Sequence, residues 1–218
     1  NLGFLIQKEY DPSVFFLPVD FIYLVLLGII IGIFAELYSR YVLLMQKLGK
    51  KWYKNKFVLK MSICGLILGS IYSCLPSTFH NLDELQKIIA EQNTSIGIAL
   101  LAVLVLFITT GLAAASGAPG GLFYPMLTLG GSIGLIMGSW VEIATGHAPS
   151  TYIFAGMGAF VAGCSRTPIT AMFLAFALTK NLLIMKPVLI SCIASFLIAR
   201  AFNEESIYER QIQIELED

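Results

Sequence analysis

Long apolar stretches, separated by short polar ones, make up most of this chain. The first uncharged stretch covers residues 21–35 and continues through Glu36 and Arg40 to about Leu48. At about 1.5 Å per residue, the uncharged part alone is too short for a hydrocarbon core of about 30 Å. We therefore predict one long tilted helix here, in which Glu36 and Arg40 form a structural ion pair at i, i+4 spacing.

A lysine-rich segment follows, and it contains no acidic residue between Lys47 and Lys60. Short loops rich in lysine lie on the cytoplasmic side of membranes, so we predict a cytoplasmic loop between two spans rather than a nucleic-acid site. The uncharged residues 61–79 then predict a helix that crosses outward, in which Gly65 and Gly69 allow close helix approach. The net acidic loop after this helix fits the outer face.

The longest uniform pattern is a run of fifty residues, 92–141, without one formal charge. It predicts two helices and a joint at residues 116–125, which read Ser-Gly-Ala-Pro-Gly-Gly-Leu-Phe-Tyr-Pro. A joint at the membrane surface normally carries charged or strongly polar side chains. We therefore favour a break inside the membrane, of the kind found in discontinuous helices. A tight surface hairpin that lacks charge is the alternative.

The last third of the chain consists of apolar pieces that are too short to span a membrane. They cover residues 151–164, 169–178 and 187–199, and prolines and glycines interrupt them. Half-length apolar pieces of this kind indicate a transporter built from broken helices. After Arg200 the chain turns polar, and the alternation at residues 211–217 predicts either a short strand or a frayed tail.

Composition restricts the class of protein. Hydrophobic residues make up 57% of the 218 residues, charged residues make up 13%, and the mean hydropathy is +0.79. Soluble domains carry about 25% charged residues, so we predict an all-α integral membrane protein and exclude a soluble enzyme, a nucleic-acid binder and a disordered segment. The four cysteines stand singly in apolar segments, which predicts core packing rather than a metal site. No catalytic residue is predicted.

The joint has the chemistry of an anion site. The second helix should begin at about Leu122, where its first N–H groups have no partner in the helix and the helix dipole places about half a positive charge. Gly121 has no Cβ, so an ion can approach the backbone closely. No acidic residue is near in sequence, which favours an anion over a cation. A site without a full lysine or arginine charge can also release its ion.

The joint has three other interpretations. Ser116 with His80 or His147 as base would suggest an intramembrane serine protease, but nothing in the sequence fixes either histidine near this serine. A phosphate-binding loop would need Gly-Lys-Ser/Thr, which the sequence lacks. A carrier for an organic anion would need an arginine near the joint, and Arg166 is the candidate.

The joint is also where the chain resembles a known family. Residues 117–126, Gly-Ala-Pro-Gly-Gly-Leu-Phe-Tyr-Pro-Met, resemble the G-x-F-x-P signature of CLC chloride channels and chloride/proton antiporters. Residues 26–34 resemble the long tilted helix early in that family's second repeat, and residues 155–168 resemble its later A-G-M-G-A…R-x-P stretch. Tyr208 falls where the family has its pore tyrosine. The four landmarks follow the family's order along nearly the whole chain.

The resemblance implies the second half of an inverted-repeat fold, with residues 1–200 as the membrane domain and 201–218 as a cytoplasmic helix and tail. It implies a central chloride bound by the backbone amides of Leu122 and Phe123 beside Gly121, and by the Tyr208 hydroxyl from the cytoplasmic side. No cofactor is implied, since chloride is the bound ion. The implied partners are protons, the lipid bilayer, the first repeat, and a second copy that packs through residues 169–199 in a plasma (inner) membrane.

The family's first-repeat motifs have no counterpart in this chain. These motifs supply a serine that helps to bind the ion and the glutamates of gating and proton transfer, and residues 177–180 also lack the acid that many relatives have there. The resemblance therefore leaves channel and antiporter open. The chain opens on Asn1 rather than Met, which fits a piece of a longer protein. An organic-anion carrier and a half-length chain that does not transport are the other hypotheses.

Overall fold

Every element that the structure describes is helical, as apolar stretches of this length predict. The computed structural model describes residues 18–52, 57–90, 94–117, 121–145 and 150–216, and no strand occurs in these ranges. Two short 3-10 turns, Ser77–Phe79 and Leu182–Ile184, connect longer helices. The α-helices are, in chain order, α1 Pro18–Trp52, α2 Phe57–Ser73, α3 Leu82–Ala90, α4 Ile96–Ser116, α5 Phe123–Thr145, α6 Thr151–Ser165, α7 Pro168–Thr179, α8 Met185–Phe202 and α9 Ile207–Leu216.

Local signals at the helix ends explain where the apolar stretches break. α4 begins after Ser95, whose side chain accepts a hydrogen bond from the N–H of Ile98 at 3.4 Å. It ends at Gly117, which has a left-handed backbone with φ of 74°. α6 ends in the same way at Arg166, with φ of 62°, and Pro168 begins α7 because the first helical position needs no donor. These signals keep α6 and α7 short.

α6 lies at the centre of the fold. Its residues from Thr151 to Cys164 are all buried, and it packs against α1, α5, α7 and α8. Its backbone touches that of α5, since a Cβ built on Gly130 would overlap the carbonyl group of Gly156 and lie 2.7 Å from the Cβ of Phe160. Small residues let two helices approach this closely. The half-length helix is therefore an interior element.

Four described stretches are long and apolar enough to cross a membrane, namely Asp20–Lys51, Ile96–Ser116, Phe123–Thr145 and Leu182–Leu216. Outward-facing positions are also apolar, and Ile22, Leu66 and Leu104 are each more than half exposed. Apolar outer faces of this extent need lipid or another protein segment to cover them. The predicted all-α fold with broken helices is confirmed.

Three predictions for the first half of the chain need correction. The net acidic segment after α2 is mainly helical and not a loop, because α3 covers Leu82–Ala90. The lysine-rich segment is not mainly a loop, because α1 continues to Trp52 and carries Lys47, while Lys60 lies on α2. The remaining residues, 53–56, lie outside the described ranges. Gly65 and Gly69 meet no helix within the described chain, since nothing lies within 4 Å of a Cβ built on either. Close helix approach occurs instead between α5 and α6, and between α1 and α8 at Gly28 and Gly32.

The strand interpretation of residues 211–217 is also wrong, because a helix, α9, covers Ile207–Leu216. A capping box begins this helix. The N–H of Ser206 donates to Oε2 of Glu209 at 2.6 Å, and the N–H of Glu209 donates to Oγ of Ser206 at 3.2 Å. Ile207 and Ile214 are both buried, so burial along α9 repeats every two helical turns and not every second residue.

Candidate anion-binding site

The predicted joint is a break between two helices. α4 ends at Ser116 and α5 begins at Phe123, one residue later than predicted, and residues 118–120 lie outside the described ranges. The break lies beside the last turns of α1, because a Cβ on Gly49 would overlap the carbonyl oxygen of Ala115. It is therefore level with the turn of α1 that carries Lys50, and its depth in a membrane stays a prediction.

The start of α5 presents backbone donors. The first bond of its ladder runs from the N–H of Met126 to the carbonyl oxygen of Leu122 at 3.1 Å. The N–H groups of Leu122, Phe123 and Tyr124 precede this bond and have no acceptor within the helix, while Pro125 has no N–H. The same helix end carries about half a positive charge. These N–H groups can therefore bind an anion.

A cavity of about 700 Å³ opens at this helix start. Gly121, Leu122 and Pro125 line it from the beginning of α5, and residues of α1, α2, α4 and α9 form most of the other walls. No atom of the described residues lies within 4 Å of a Cβ built on Gly121, so these residues leave its backbone accessible. Because a water molecule occupies about 30 Å³ in the liquid, the cavity can hold a small anion together with several waters.

Positive charge prevails on the cavity lining, where Lys50 and Lys60 face one acid, Glu215. The Nζ of Lys50 donates to the carbonyl oxygen of Ile214 at 2.8 Å, which fixes this lysine at the wall. The hydroxyl of Thr110 donates at 2.6 Å to a carbonyl oxygen one turn earlier on α4. Since this hydroxyl is used within its own helix, the start of α5 is the better source of donors to an anion.

The structure does not bring all four predicted chloride ligands to one point. Gly121 and Leu122 line the cavity, whereas Phe123 and Tyr208 are not among the described residues that line it. Tyr208 lies in the first turn of α9 with 39% of its surface exposed. Gln211, one turn further along the same face of α9, does line the cavity. Tyr208 therefore continues the side of α9 that faces the cavity.

Arg166 does not face the joint, as an organic-anion site would need. Its guanidinium donates to the carbonyl oxygen of Gly163 and, at 2.8 Å, to Oε2 of Glu36. Glu36 also binds Arg40 at 2.9 Å, as predicted, and Arg210 at 3.1 Å, which no sequence pattern indicates. The side chain of Arg166 is thus engaged by Glu36, and Arg166 is not among the described residues that line the cavity.

The other residues considered for chemistry at the joint, Ser116 and His80, make local contacts to the backbone. Oγ of Ser116 donates to the carbonyl oxygen of Ala113 at 2.7 Å, and Nδ1 of His80 lies 3.2 Å from the carbonyl oxygen of Ser77. His147 lies outside the described ranges. Within those ranges, no group of three or more His, Cys, Asp or Glu residues is placed to hold a metal ion. The geometry therefore favours anion binding over hydrolysis at the joint.

The sequence of the chain is similar to that of known membrane proteins. The family described as voltage gated chloride channel matches residues 5–200. The chain is 31% identical over 203 residues to a protein named H(+)/Cl(-) exchange transporter ClcA from Klebsiella pneumoniae. The matched residues cover 90% of this chain and 43% of that protein. A protein of the same name from Vibrio parahaemolyticus is 29% identical over 191 residues, 85% of this chain and 41% of that protein. The chain spans about two fifths of the length of these relatives.

Solved structures share the helix arrangement. A slow cyanobacterial Cl−/H+ antiporter superimposes with a TM-score of 0.82 at 24% identity, over 94% of this chain and 49% of that chain. A eukaryotic CLC transporter gives a TM-score of 0.75 at 21% identity, over 93% of this chain and 36% of that chain. At this level of identity the likeness concerns the fold, and it confirms the order and packing of the broken helices.

Proposed function

The chain belongs to the voltage-gated chloride channel family, and from that premise we propose that it forms part of a membrane pathway for chloride or a similar small inorganic anion. The observation that carries this proposal is the start of α5. There the N–H groups of Leu122, Phe123 and Tyr124 have no acceptor within the helix, and the described residues leave the backbone of Gly121 uncovered. Backbone dipoles bind an anion without the strength of a full charge, so the ion can leave again.

In the intact protein, this chain would be the second of two inverted repeats. Its length supports this, because it spans about two fifths of its curated relatives and 49% of the cyanobacterial antiporter chain. Residues 1–200 would form the membrane domain and 201–218 a cytoplasmic helix and tail. The first repeat would complete the anion site, and a second copy would pack against residues 169–199, where Phe173 and Leu197 are more than half exposed.

The cavity would open towards the cytoplasm of a cell whose plasma (inner) membrane holds the protein. Lys47, Lys50 and Lys51 lie at one end of α1, and positive residues favour the cytoplasmic side. The bond between Lys50 and the carbonyl oxygen of Ile214 brings α9 to the same end. Chloride would therefore reach the start of α5 from the cytoplasm through this cavity.

Exchange of chloride against protons is favoured over passive conduction. The relatives from Klebsiella pneumoniae and Vibrio parahaemolyticus are named as exchange transporters for these two ions. The acids that carry protons would come from the first repeat, as the family resemblance implies. An organic-anion carrier is less favoured, because the side chain of Arg166 is engaged by Glu36 instead of facing the joint.

The proposal is tested with the intact protein that contains this chain, reconstituted in liposomes. Chloride efflux and external pH are recorded together under an outward chloride gradient. We expect chloride release coupled to uphill proton movement. Chloride release without protons would change the mechanism to a channel. No chloride movement from vesicles with folded protein would contradict the proposal and favour the organic-anion carrier or the chain that does not transport.

Replacing Tyr208 by phenylalanine is expected to weaken chloride binding about tenfold. A hydrogen bond to a charged group contributes about 1.5–3 kcal/mol, and about 1.4 kcal/mol corresponds to a factor of ten in Kd. The change removes the hydroxyl alone and leaves the ring. Isothermal titration calorimetry with chloride measures the effect in detergent, and Tyr23→Phe, at the opposite end of the described chain, serves as the control. An unchanged Kd in Tyr208→Phe would remove the hydroxyl from the site.

A further inference from the structure

Glu36 is a buried carboxylate that three arginines share. Its residue surface is 3% exposed. Oε1 accepts from Nε of Arg40 at 2.9 Å and from Nη1 of Arg210 at 3.1 Å. Oε2 accepts from Nη2 of Arg166 at 2.8 Å and from Nη2 of Arg210 at 3.1 Å. Four donors fill the acceptor sites of one carboxylate, so the side chain is held in a single orientation.

Two of these ion pairs join separate helices. Arg166 ends α6 and Arg210 lies in the first turn of α9, 130 and 174 positions from Glu36 in sequence. Arg210 binds with both terminal nitrogens, one to each oxygen, and this fork geometry fixes direction as well as distance. The carboxylate therefore ties the end of α6 and the start of α9 to the middle of α1.

Arg40 contacts the same carboxylate but has no link to α9, and its guanidinium lies 6.0 Å from the centre of the Phe202 ring at the end of α8. It lies one turn after Glu36 on α1, and its side chain is 60% exposed, compared with 11% for Arg210 and 7% for Arg166. Exposed pairs at i, i+4 spacing contribute little. Arg40 is therefore a matched control for Arg210, since it has the same chemistry and the same partner without the link to α9.

The link to α9 lies at the turn that carries Tyr208. Arg210 follows Tyr208 by two residues, which places the two side chains about 200° apart around the helix axis. While Arg210 is bound to Glu36, the direction in which the Tyr208 side chain leaves α9 is therefore fixed. Two further hydrogen bonds to α1 lie later on α9, between Gln211 and Gln46 at 3.5 Å and from Lys50 to the carbonyl oxygen of Ile214.

We propose that Glu36 and Arg210 are positioning residues for the Tyr208 hydroxyl, because their two-pronged ion pair fixes the rotation of α9 about its own axis. This inference rests on the proposed role of that hydroxyl in anion binding. The capping box of Ser206 and Glu209 determines where α9 begins, and the pair of Glu36 and Arg210 determines which way its first turn faces. A small rotation of α9 would move the hydroxyl away from the anion without unfolding the helix.

The test uses Arg210→Lys in the intact protein, with Arg40→Lys as the control. Lysine keeps the positive charge beside the buried carboxylate but cannot make the fork. Chloride Kd is measured by calorimetry, and the chloride concentration that gives half-maximal flux is measured in liposomes. We expect Arg210→Lys to weaken chloride binding about three- to tenfold, up to the full loss of one hydrogen bond to a charged group. Arg40→Lys should change it by less than about twofold.

A double-mutant cycle separates positioning from general stability. If Arg210 acts through the Tyr208 hydroxyl, Arg210→Lys should have no further effect on chloride Kd in a Tyr208→Phe background. Glu36→Asp keeps the charge but shortens the side chain. It should weaken chloride binding as Arg210→Lys does, and it should likewise have no further effect on chloride Kd in the Tyr208→Phe background. Helix loosening alone would lower the Tm of both backgrounds without this loss of additivity.

Two results would overturn the inference and leave the proposed function standing. In the first, Tyr208→Phe weakens chloride binding while Arg210→Lys and Glu36→Asp do not. In the second, Arg210→Lys retains its full effect in the Tyr208→Phe background. If Tyr208→Phe itself leaves chloride binding unchanged, the hydroxyl is not a chloride ligand, and the positioning role of Glu36 and Arg210 is contradicted as well. The flux of the unmodified protein then decides the proposed function separately.

Discussion

Replacing Gly156 by alanine is expected to lower the free energy of unfolding of the intact protein by about 1–3 kcal/mol or more, the range for overpacking a filled core. A Cβ on Gly156 would overlap the carbonyl oxygen of Gly130 and lie 3.0 Å from the Cα of Gly134. These are backbone atoms of α5, which cannot rotate away as a side chain can. The two helices would have to move apart along a buried contact. The Tm in detergent measures the loss.

The matched control is the same substitution at Gly97, in the first turn of α4. Among the described residues, the one neighbour within 4 Å of a Cβ built there is Oγ of Ser95 at 3.8 Å, which is ordinary van der Waals contact. Alanine is a better helix former than glycine by about 1 kcal/mol, so Gly97→Ala should leave the Tm unchanged or raise it. Equal Tm values for the two variants would show that the contact of α5 with α6 tolerates a methyl group.

The crossing of α5 over α6 also determines where the anion site lies. α5 carries the donor N–H groups at its first turn, and its glycines rest on α6 two to three turns later. A shift at Gly156 would therefore be transmitted along α5 to Leu122. We expect the fraction of Gly156→Ala that remains folded to bind chloride more weakly, while Gly97→Ala binds normally.

The sequence could predict that helices approach closely, but not which ones. Gly65 and Gly69 on α2 have the same spacing as Gly130 and Gly134 on α5. Spacing identifies a face that can be approached, and the partner is decided by the tertiary arrangement. Of these two pairs, the α5 pair lies against another helix of the described chain and the α2 pair does not, while Gly28 and Gly32 on α1 lie against α8. Gly156 on the following helix indicates the partner of the α5 pair, because it gives α6 a small residue at which the backbone of α5 can approach.

Of the ion pairs around Glu36, one could be predicted from the sequence and two could not. Arg40 could be predicted because i, i+4 neighbours always share a helix face. Arg166 and Arg210 could not be assigned to Glu36, since long-range pairing depends on how α6 and α9 pack against α1. Arg210 lies among acidic residues of the polar tail, whereas Arg166 stands in a segment that is poor in charge. A charge in such a segment predicts a buried partner without naming it.

The start of α9 could be predicted from the sequence. Ser206 and Glu209 have the Ser-x-x-Glu spacing of a capping box, which indicates a helix beginning at this point. The alternation of residues 211–217 is short, and a segment of that length fits a strand and an exposed helix equally well. The capping signal therefore has more weight than the alternation, because it names a specific pair of hydrogen bonds.

Replacing Phe123 by proline is expected to weaken chloride binding about tenfold or more while the protein stays folded. Proline has no N–H, so this change deletes one of the proposed anion donors from the backbone. Phe123 is the first residue of α5, where proline is favoured, and the bond from the N–H of Met126 to Leu122 is kept. Loss of a hydrogen bond to a charged group of about 1.5–3 kcal/mol gives the expected factor.

Phe123→Ala is the control, because it removes the ring and keeps the N–H. The ring is 37% exposed and lies edge-on to Tyr124 at 6.5 Å, so its loss leaves the start of α5 intact. Calorimetry with chloride should give a Kd close to that of the unmodified protein for Phe123→Ala and a much higher one for Phe123→Pro, at similar Tm. If both variants bind chloride as the unmodified protein does, the N–H of Phe123 is not a ligand. If both lose binding equally, the ring is responsible and the backbone is not.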